Sequence, residues 1–220
     1  MPDLFGNKEF IIFTTRDFAL HEHLSLSAAS KMLSRLQKKQ GLTRITRGVW
    51  ANTRHPWFHP LCCVPYLLGK EQGYVSFLTA LHLHGMLSQI PATIQVATTG
   101  HTRRLESPQG VYEFIQMKPA LMQQGLIWSE TQLPYLQAGP EKALLDVLYI
   151  ATRKKRRFAS LPELELDTGS FHRKIFERML AGLPLSPRIS NAMAARARLL
   201  GAASHTEAKP KPRSRKPPVR

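Results

Sequence analysis

The stretch FTTRDFALHEHLSLSAASKMLSRLQKKQG, residues 13–41, predicts two helices joined by a tight turn. Thr14 is a suitable N-cap, and Asp17 follows three residues later as in a shortened capping box. The first helix should therefore begin after Thr14 and run to about Glu22. After a short turn, Ser25 is a candidate N-cap for the second helix.

Apolar residues of the second helix recur at helical spacing, which turns one face to a core. They are Ala29, Met32, Leu33 and Leu36. The opposite face is small or polar near its start and basic further along; it carries Ser27, Ala28, Lys31, Ser34, Arg35 and Lys38. Gly41 lies where a left-handed residue commonly ends a helix, so this one should stop at about Gln40.

The sequence LTRITRGVWANT, residues 42–53, places β-branched and aromatic residues around Arg47-Gly48, which favours a small hairpin with a two-residue turn. Two helices followed by a hairpin are typical of a winged helix-turn-helix. In that module the second helix enters the major groove of DNA and the wing reaches the flanking backbone.

We interpret the chain as α+β with three parts. Residues 1–55 form the winged helix-turn-helix, residues 56–200 a mixed α+β domain, and residues 201–220 a disordered tail rich in proline and basic residues. In the second part, residues 54–73 are expected to be an irregular connection. Beyond them we expect helices over 75–87, 140–152 and 170–200 and strands over 93–100 and 110–118.

The net charge of +16 is concentrated in three places. Residues 14–54 carry eight Lys or Arg against two acidic residues, RKKRR occupies 153–157, and the tail holds six more basic residues. Such patches indicate a polyanionic partner. Nucleic acid is favoured over an anionic membrane, because no strongly amphipathic basic helix with a bulky apolar face occurs beside the patches. No apolar run suits a membrane span, so the cytoplasm is the expected location.

Double-stranded DNA would be contacted from the second helix and the hairpin. Lys31 and Arg35 are the best candidates for base or groove contacts. Lys38, Arg44 and Arg47 should mainly hold phosphate, with Ser27, Ala28, Ser34 and Thr46 on the same surface. The alternative is a module used for protein contacts, with its charges simply solvated. The run at 153–157 could be a second phosphate site or a solvated helix end, and the tail an electrostatic tether.

Neither a metal nor a cofactor is expected. His55, His59, Cys62 and Cys63 do not match a zinc spacing and are better explained as a packed connection. The chain has no phosphate-cradling glycine loop, nucleophile elbow or HExxH motif, so catalysis is not expected. A DNA-acting enzyme stays an open alternative, because metal-binding carboxylates can gather from distant positions.

The motifs FTTRDFA, AASKMLSRLQKKQGL, RGVWA, YVSFLTALHLHGMLSQIP, IQVATTG and PEKALLDVLY, within residues 10–155, resemble the AbiEi family of antitoxins and transcriptional regulators. The resemblance implies a type IV toxin-antitoxin component of an abortive-infection system. Its winged domain would bind inverted repeats in its own operator and act as a repressor. Its C-terminal domain would counteract a nucleotidyltransferase-like toxin.

The resemblance also implies that residues 27–38 form the recognition helix and residues 44–48 the wing. The sequence departs from the family pattern at His23, where glycine is frequent, so a histidine must adopt the left-handed backbone of the turn. The basic end, residues 205–220, is a second departure. A stand-alone regulator without a toxin partner is the alternative within the same class.

Overall fold

The computed structural model describes residues 6–153, 169 and 171–205. This part of the chain is mixed α+β, with seven α-helices and two sheets. Residues 154–157 of the RKKRR run and residues 206–220 of the tail lie outside the described residues. None of the described helices is both long and apolar enough to cross a membrane.

The first sheet and two helices lie within residues 12–52. The elements are β1 (Ile12–Thr14), α1 (Thr15–His21), α2 (Leu26–Gln40), β2 (Leu42–Thr46) and β3 (Val49–Asn52). The sheet is antiparallel, and β3 lies between β1 and β2. The predicted hairpin around Arg47-Gly48 is confirmed, with Thr46 paired to Val49 across the turn.

The caps of both helices agree with the sequence prediction. The Thr14 hydroxyl accepts from the Asp17 N–H, and the Asp17 carboxylate accepts from the Thr14 N–H, so the capping box is complete. The Ser25 side chain accepts from the Ala28 N–H at the start of α2. At the other end of α2, Gly41 has a φ of 76° and ends the helix.

The turn between the two helices places a non-glycine residue in the left-handed region. His23 has a φ of 53°, as its position predicted. The turn is closed by a hydrogen bond from the Leu24 N–H to the Ala19 carbonyl. Because a histidine bears this conformation, the turn carries a small backbone penalty that a glycine would avoid.

A six-stranded sheet is built from the middle of the described chain, between residues 73 and 138. Its strands are β4 (Gly73–Val75), β5 (Ile94–Thr98), β6 (Arg103–Ser107), β7 (Gly110–Gln116), β8 (Leu126–Trp128) and β9 (Leu136–Ala138). They lie in the order β6-β7-β5-β4-β9-β8. The β5–β7 and β4–β9 pairs are parallel and the other pairs are antiparallel. The expected strands at β5 and β7 are confirmed; the other four were missed.

Five further helices complete the described fold. They are α3 (Val64–Leu68), α4 (Phe77–Leu83), α5 (Pro140–Ala151), α6 (Arg173–Gly182) and α7 (Pro187–His205). The expectation of an irregular connection over residues 54–73 was wrong in part. Residues Pro60–Cys63 form a 3-10 helix that leads directly into α3. Pro60 and Pro65 are tolerated there because they lie in first turns, where a missing N–H costs nothing. Helix α7 includes residues 201–205, which the sequence interpretation placed in the tail.

One hydrophobic cluster joins the first sheet to the second. Ile11, Ile12, Ile45 and Ala51 pack with residues of α3 and of the larger sheet, among them Val75 and Phe114. The Tyr66 hydroxyl of α3 also donates to the Ile12 carbonyl at 3.3 Å. The helices α1 and α2 therefore rest on a sheet whose far face belongs to this joining cluster.

Helix α5 is buried along almost its whole length and contains a charged pair. The ammonium of Lys142 bonds to the carboxylate of Asp146 one turn later, and each residue is about 1% exposed. The hydroxyls of Tyr74 and Ser76 donate to the other carboxylate oxygen at 3.0 and 2.7 Å. Burial raises the pKa of Asp146, whereas Lys142 and the two hydroxyls act in the opposite direction. The network ties β4 to α5.

Candidate nucleic-acid interface

Helix α2 presents its predicted polar and basic face to solvent. Ala29 and Leu33 are fully buried against α1 and the first sheet, and Met32 and Leu36 pack beside them. The face turned outward carries Ser27, Ala28, Lys31, Ser34, Arg35 and Lys38, and all six residues are exposed. Because the apolar side of α2 packs against the core, the orientation of its exposed side is determined as well.

The exposed face is arranged as a stripe along the helix axis. Lys31, Arg35 and Lys38 are spaced by four and three residues, so their side chains lie one above another. Ser27 and Ala28 continue the stripe toward the N-terminus with small side chains. A convex cylinder with small residues at one end and cations along its length can approach a groove closely and still reach phosphates.

Ser34 lies on this surface as predicted, but its hydroxyl is already engaged within the helix. Its hydroxyl donates to the Ser30 carbonyl at 2.8 Å, inside the same helix. The hydroxyl hydrogen is therefore already used, and only the oxygen lone pairs face outward. Ser27 has no such bond among the described residues, so its hydroxyl can both donate and accept a hydrogen bond.

The hairpin adds two exposed arginines beside the helix. Arg47 lies at the turn, and Arg44 lies on β2. The Arg44 guanidinium stands 5.9 Å from the centre of the Trp50 ring, and its Nε donates to the Thr46 carbonyl. This holds the Arg44 head in a defined place while leaving its terminal nitrogens available. Thr46 is only half-buried and lies on the same hairpin.

The hairpin is anchored to the start of α1. The Thr15 N–H donates to the Gly48 carbonyl at 2.8 Å, and the Trp50 Nε1 donates to the Thr15 hydroxyl oxygen at 2.9 Å. Gly48 itself has a φ of 77°, which the tight turn requires. The arginines of the hairpin are thus held in a fixed relation to the helices.

No acidic residue occurs between Glu22 and Glu71, a stretch that includes all of α2 and the hairpin. In the part of the chain that the structure describes, no ion pair involves the cations of this surface. Lys31, Arg35 and Lys38 are therefore uncompensated cations on one side of the molecule. Because no ion pair within the described residues neutralises these charges, the surface can attract a polyanion.

Pattern reasoning missed Arg16, an exposed arginine in the first turn of α1. The first helix of a helix-turn-helix crosses the DNA backbone, so a cation at its start suits a phosphate contact. The signal that could have found it was its place two residues after the Thr14 cap. Arg54 is also exposed, but its side chain packs against Gly41 at the end of α2.

The cysteine and histidine segment lies in the cluster that joins the two sheets. Cys62 and Cys63 are buried free thiols, and the Tyr112 hydroxyl donates to the nearby Pro60 carbonyl. Burial raises the pKa of Cys63 to about 11, so this thiol stays protonated near neutral pH. Among the described residues, no group of three or more His, Cys, Asp or Glu side chains is placed to hold a metal ion.

Comparison with known proteins adds no assignment. No protein-family model matches the chain, and no curated protein matches it.

Proposed function

We propose that the chain binds double-stranded operator DNA through a winged helix-turn-helix formed by α1, α2 and the β2–β3 hairpin. The observation that carries the proposal is the stripe of uncompensated cations on α2, flanked by the hairpin arginines, in a stretch without acidic residues. Helix α2 would lie in the major groove, with Lys31 and Arg35 toward the bases. Lys38, Arg44, Arg47 and Arg16 would hold phosphates on either side.

The order of the elements supports the same proposal. A strand precedes the two helices, a hairpin follows them, and β3 lies between β1 and β2. The hairpin is therefore held beside α2 by the strand that precedes α1. In this arrangement a helix in the major groove would bring the hairpin turn to the neighbouring phosphates.

We further propose that the chain is the antitoxin of a type IV toxin-antitoxin system. In this role it represses its own operon in the cytoplasm and counteracts a nucleotidyltransferase-like toxin. The support is the ordered set of motifs that resembles the AbiEi family, with PEKALLDVLY now seen to contain the buried Lys142–Asp146 pair. Catalysis is not part of the proposal.

A gel-shift titration against the DNA upstream of the gene tests the DNA-binding function. The Lys31→Ala/Arg35→Ala variant should bind about a hundredfold more weakly, since each such contact contributes about 1–3 kcal/mol. The matched control is Lys70→Ala/Lys118→Ala, which removes the same charge from exposed positions elsewhere and should keep most of the affinity. An equal loss of affinity in both variants would mean that only the net charge matters, and would contradict the proposed interface.

The salt dependence separates phosphate contacts from base contacts. A Lys38→Ala/Arg47→Ala variant should weaken binding to operator and unrelated DNA alike. It should also lower the slope of log affinity against log salt by about two, one for each phosphate contact removed. The Lys31→Ala/Arg35→Ala variant should instead reduce the preference for the operator.

Growth rescue tests the antitoxin role. The full chain, co-expressed with a neighbouring nucleotidyltransferase-like gene, should restore growth that the toxin alone prevents. The Lys31→Ala/Arg35→Ala variant should also rescue growth while losing repression of a promoter fusion, because the two functions use different surfaces. If the native chain represses the promoter but does not rescue growth, the antitoxin role is contradicted and the alternative, a stand-alone regulator, is favoured.

A further inference from the structure

The β8 end of the six-stranded sheet is a surface that DNA binding does not use. Within the described residues, β8 pairs only with β9, so no strand lies along its outer edge. Two of its three side chains are large, apolar and solvent-facing, with Ile127 43% exposed and Trp128 65% exposed. Edge strands of this kind pair readily with another strand unless they are blocked.

A groove lies beside this edge. It has a volume of about 620 Å³ and runs between α3 and the β9–β8 strands. Its lining is mainly apolar and includes Leu68, Met122, Leu126, Trp128 and Leu136. A groove with an exposed tryptophan at its side has the composition of an interface centre, where tryptophan is enriched.

Charge distinguishes this surface from the others. The whole chain carries a net charge of +16, yet no lysine or arginine occurs between Lys118 and Lys142. The β8–β9 hairpin lies within this neutral to acidic stretch. Two copies of a strongly basic protein repel each other through their basic surfaces, and neither this hairpin nor the lining of the groove contributes a lysine or arginine to that repulsion.

We propose that the occupant of this edge is a second copy of the same chain, paired antiparallel along β8 with a two-fold axis at Ile127. Ile127 would then lie opposite Ile127 of the partner subunit. Trp128 would lie opposite Leu126 of the partner subunit, and the reverse pair would form on the other side of the axis. Such a reciprocal arrangement is what a two-fold interface requires.

The register also explains how the groove is filled. Leu126 and Trp128 are two residues apart, so their side chains lie on the same face of the strand. Each indole would therefore cover the leucine and the groove of the other copy. Because a strand of three residues is short, its pairing alone buries little apolar surface. The burial of the two indoles adds the apolar area that the interface needs.

Cysteine cross-linking tests the axis directly. Residues directly opposite one another in antiparallel strands have Cα atoms about 4.5–5.5 Å apart, which suits a disulfide. Ile127→Cys should form a covalent dimer under mild oxidation. The matched control is Ile90→Cys, at a site that is 77% exposed in the segment between α4 and β5 and should stay monomeric. The native Cys62 and Cys63 are buried and should not react.

Sedimentation of the full chain over a dilution series gives the second measurement. The native chain should dimerise, and Trp128→Glu should raise the dimer dissociation constant at least about tenfold while leaving the circular dichroism unchanged. The Lys31→Ala/Arg35→Ala variant should dimerise like the native chain, which keeps this result separate from DNA binding. A native chain that is monomeric throughout, or equal cross-linking at Ile127→Cys and Ile90→Cys, overturns the proposal.

Discussion

The indole nitrogen of Trp50 donates a hydrogen bond of 2.9 Å to the hydroxyl oxygen of Thr15, which joins the hairpin to the first turn of α1. Trp50 is buried, so no water replaces this acceptor if the hydroxyl is removed. The Gly48 carbonyl of the hairpin also accepts from Thr15, from its N–H at 2.8 Å and from its hydroxyl at 3.4 Å.

Thr15→Val should therefore lower the free energy of unfolding by about 1–3 kcal/mol, because the buried indole N–H loses its partner while the shape is kept. Urea unfolding measures the change. The control is Thr43→Val on β2, whose hydroxyl has no described hydrogen bond, and it should change stability by less than about 0.5 kcal/mol. Equal effects would mean that the hydrogen bond contributes nothing.

Lys142→Met should be among the most destabilising single substitutions. It leaves the Asp146 carboxylate buried without its cation, which costs about 3–5 kcal/mol. A Lys142→Met/Asp146→Asn variant should recover part of the loss, since the amide is neutral and its oxygen can still accept from Tyr74 and Ser76. A double-mutant cycle measured by urea unfolding gives the coupling, and additive effects would contradict the pairing.

His23→Gly should raise the free energy of unfolding by up to about 1 kcal/mol. Glycine adopts a positive φ without the steric penalty that a histidine bears, although part of the gain is offset by the greater entropy of the unfolded chain. Thermal unfolding measures the effect. His101→Gly is the control, because His101 is exposed and has no positive φ; it should lower stability. A destabilised His23→Gly variant would argue that the histidine side chain supports the turn.

Glu71 should contribute to the pH dependence of stability. Partial burial raises the pKa of its carboxyl, but hydrogen bonds from Arg103 and Thr98 outweigh burial and hold the pKa below its ordinary value. Since the folded-state pKa is the lower one, the carboxylate stabilises the fold above the unfolded pKa of about 4.3. That contribution is lost as the pH falls through the folded-state pKa.

Glu71→Gln should accordingly be less stable than the native chain near neutral pH, and the difference should shrink as the solution is acidified. Chemical unfolding at a series of pH values measures it. The effect should be small, because both partners of the Arg103–Glu71 pair are about one-third exposed. Glu106→Gln is the control, since that side chain is 72% exposed, and near neutral pH it should change the free energy of unfolding less than Glu71→Gln does.

Local features of the chain were predictable because they depend on neighbouring residues. The Thr14–Asp17 capping box, the Ser25 cap and the left-handed Gly41 each involve residues within one helical turn. Helical spacing also identified the buried side of α2, and with it the exposed cations, because the two sides of a helix are complementary. Helix α5 was predicted in the same way, from the proline at its first position and from the helical spacing of its apolar residues.

The short strands and the α3 segment were not predictable in the same way. β4, β8 and β9 have three residues each, which is too short for an alternating pattern to show. Their strand character comes from pairing partners that are distant in sequence; Val75, for example, lies beside Gln137. Proline-rich residues 60–68 were interpreted as irregular, yet their prolines lie in the first turns of helices.

The sequence was sufficient to specify the two N-terminal helices, their caps, the hairpin and the concentration of positive charge, because all of these arise from short-range spacing. Only the tertiary structure decided that Ile12 and Ile45 share a core with Val75, that Asp146 receives bonds from Tyr74 and Ser76, and that β8 lies at an exposed edge. Those relations join residues many positions apart. They depend on how whole elements pack to bury apolar surface and satisfy buried polar groups, and no local pattern encodes that choice.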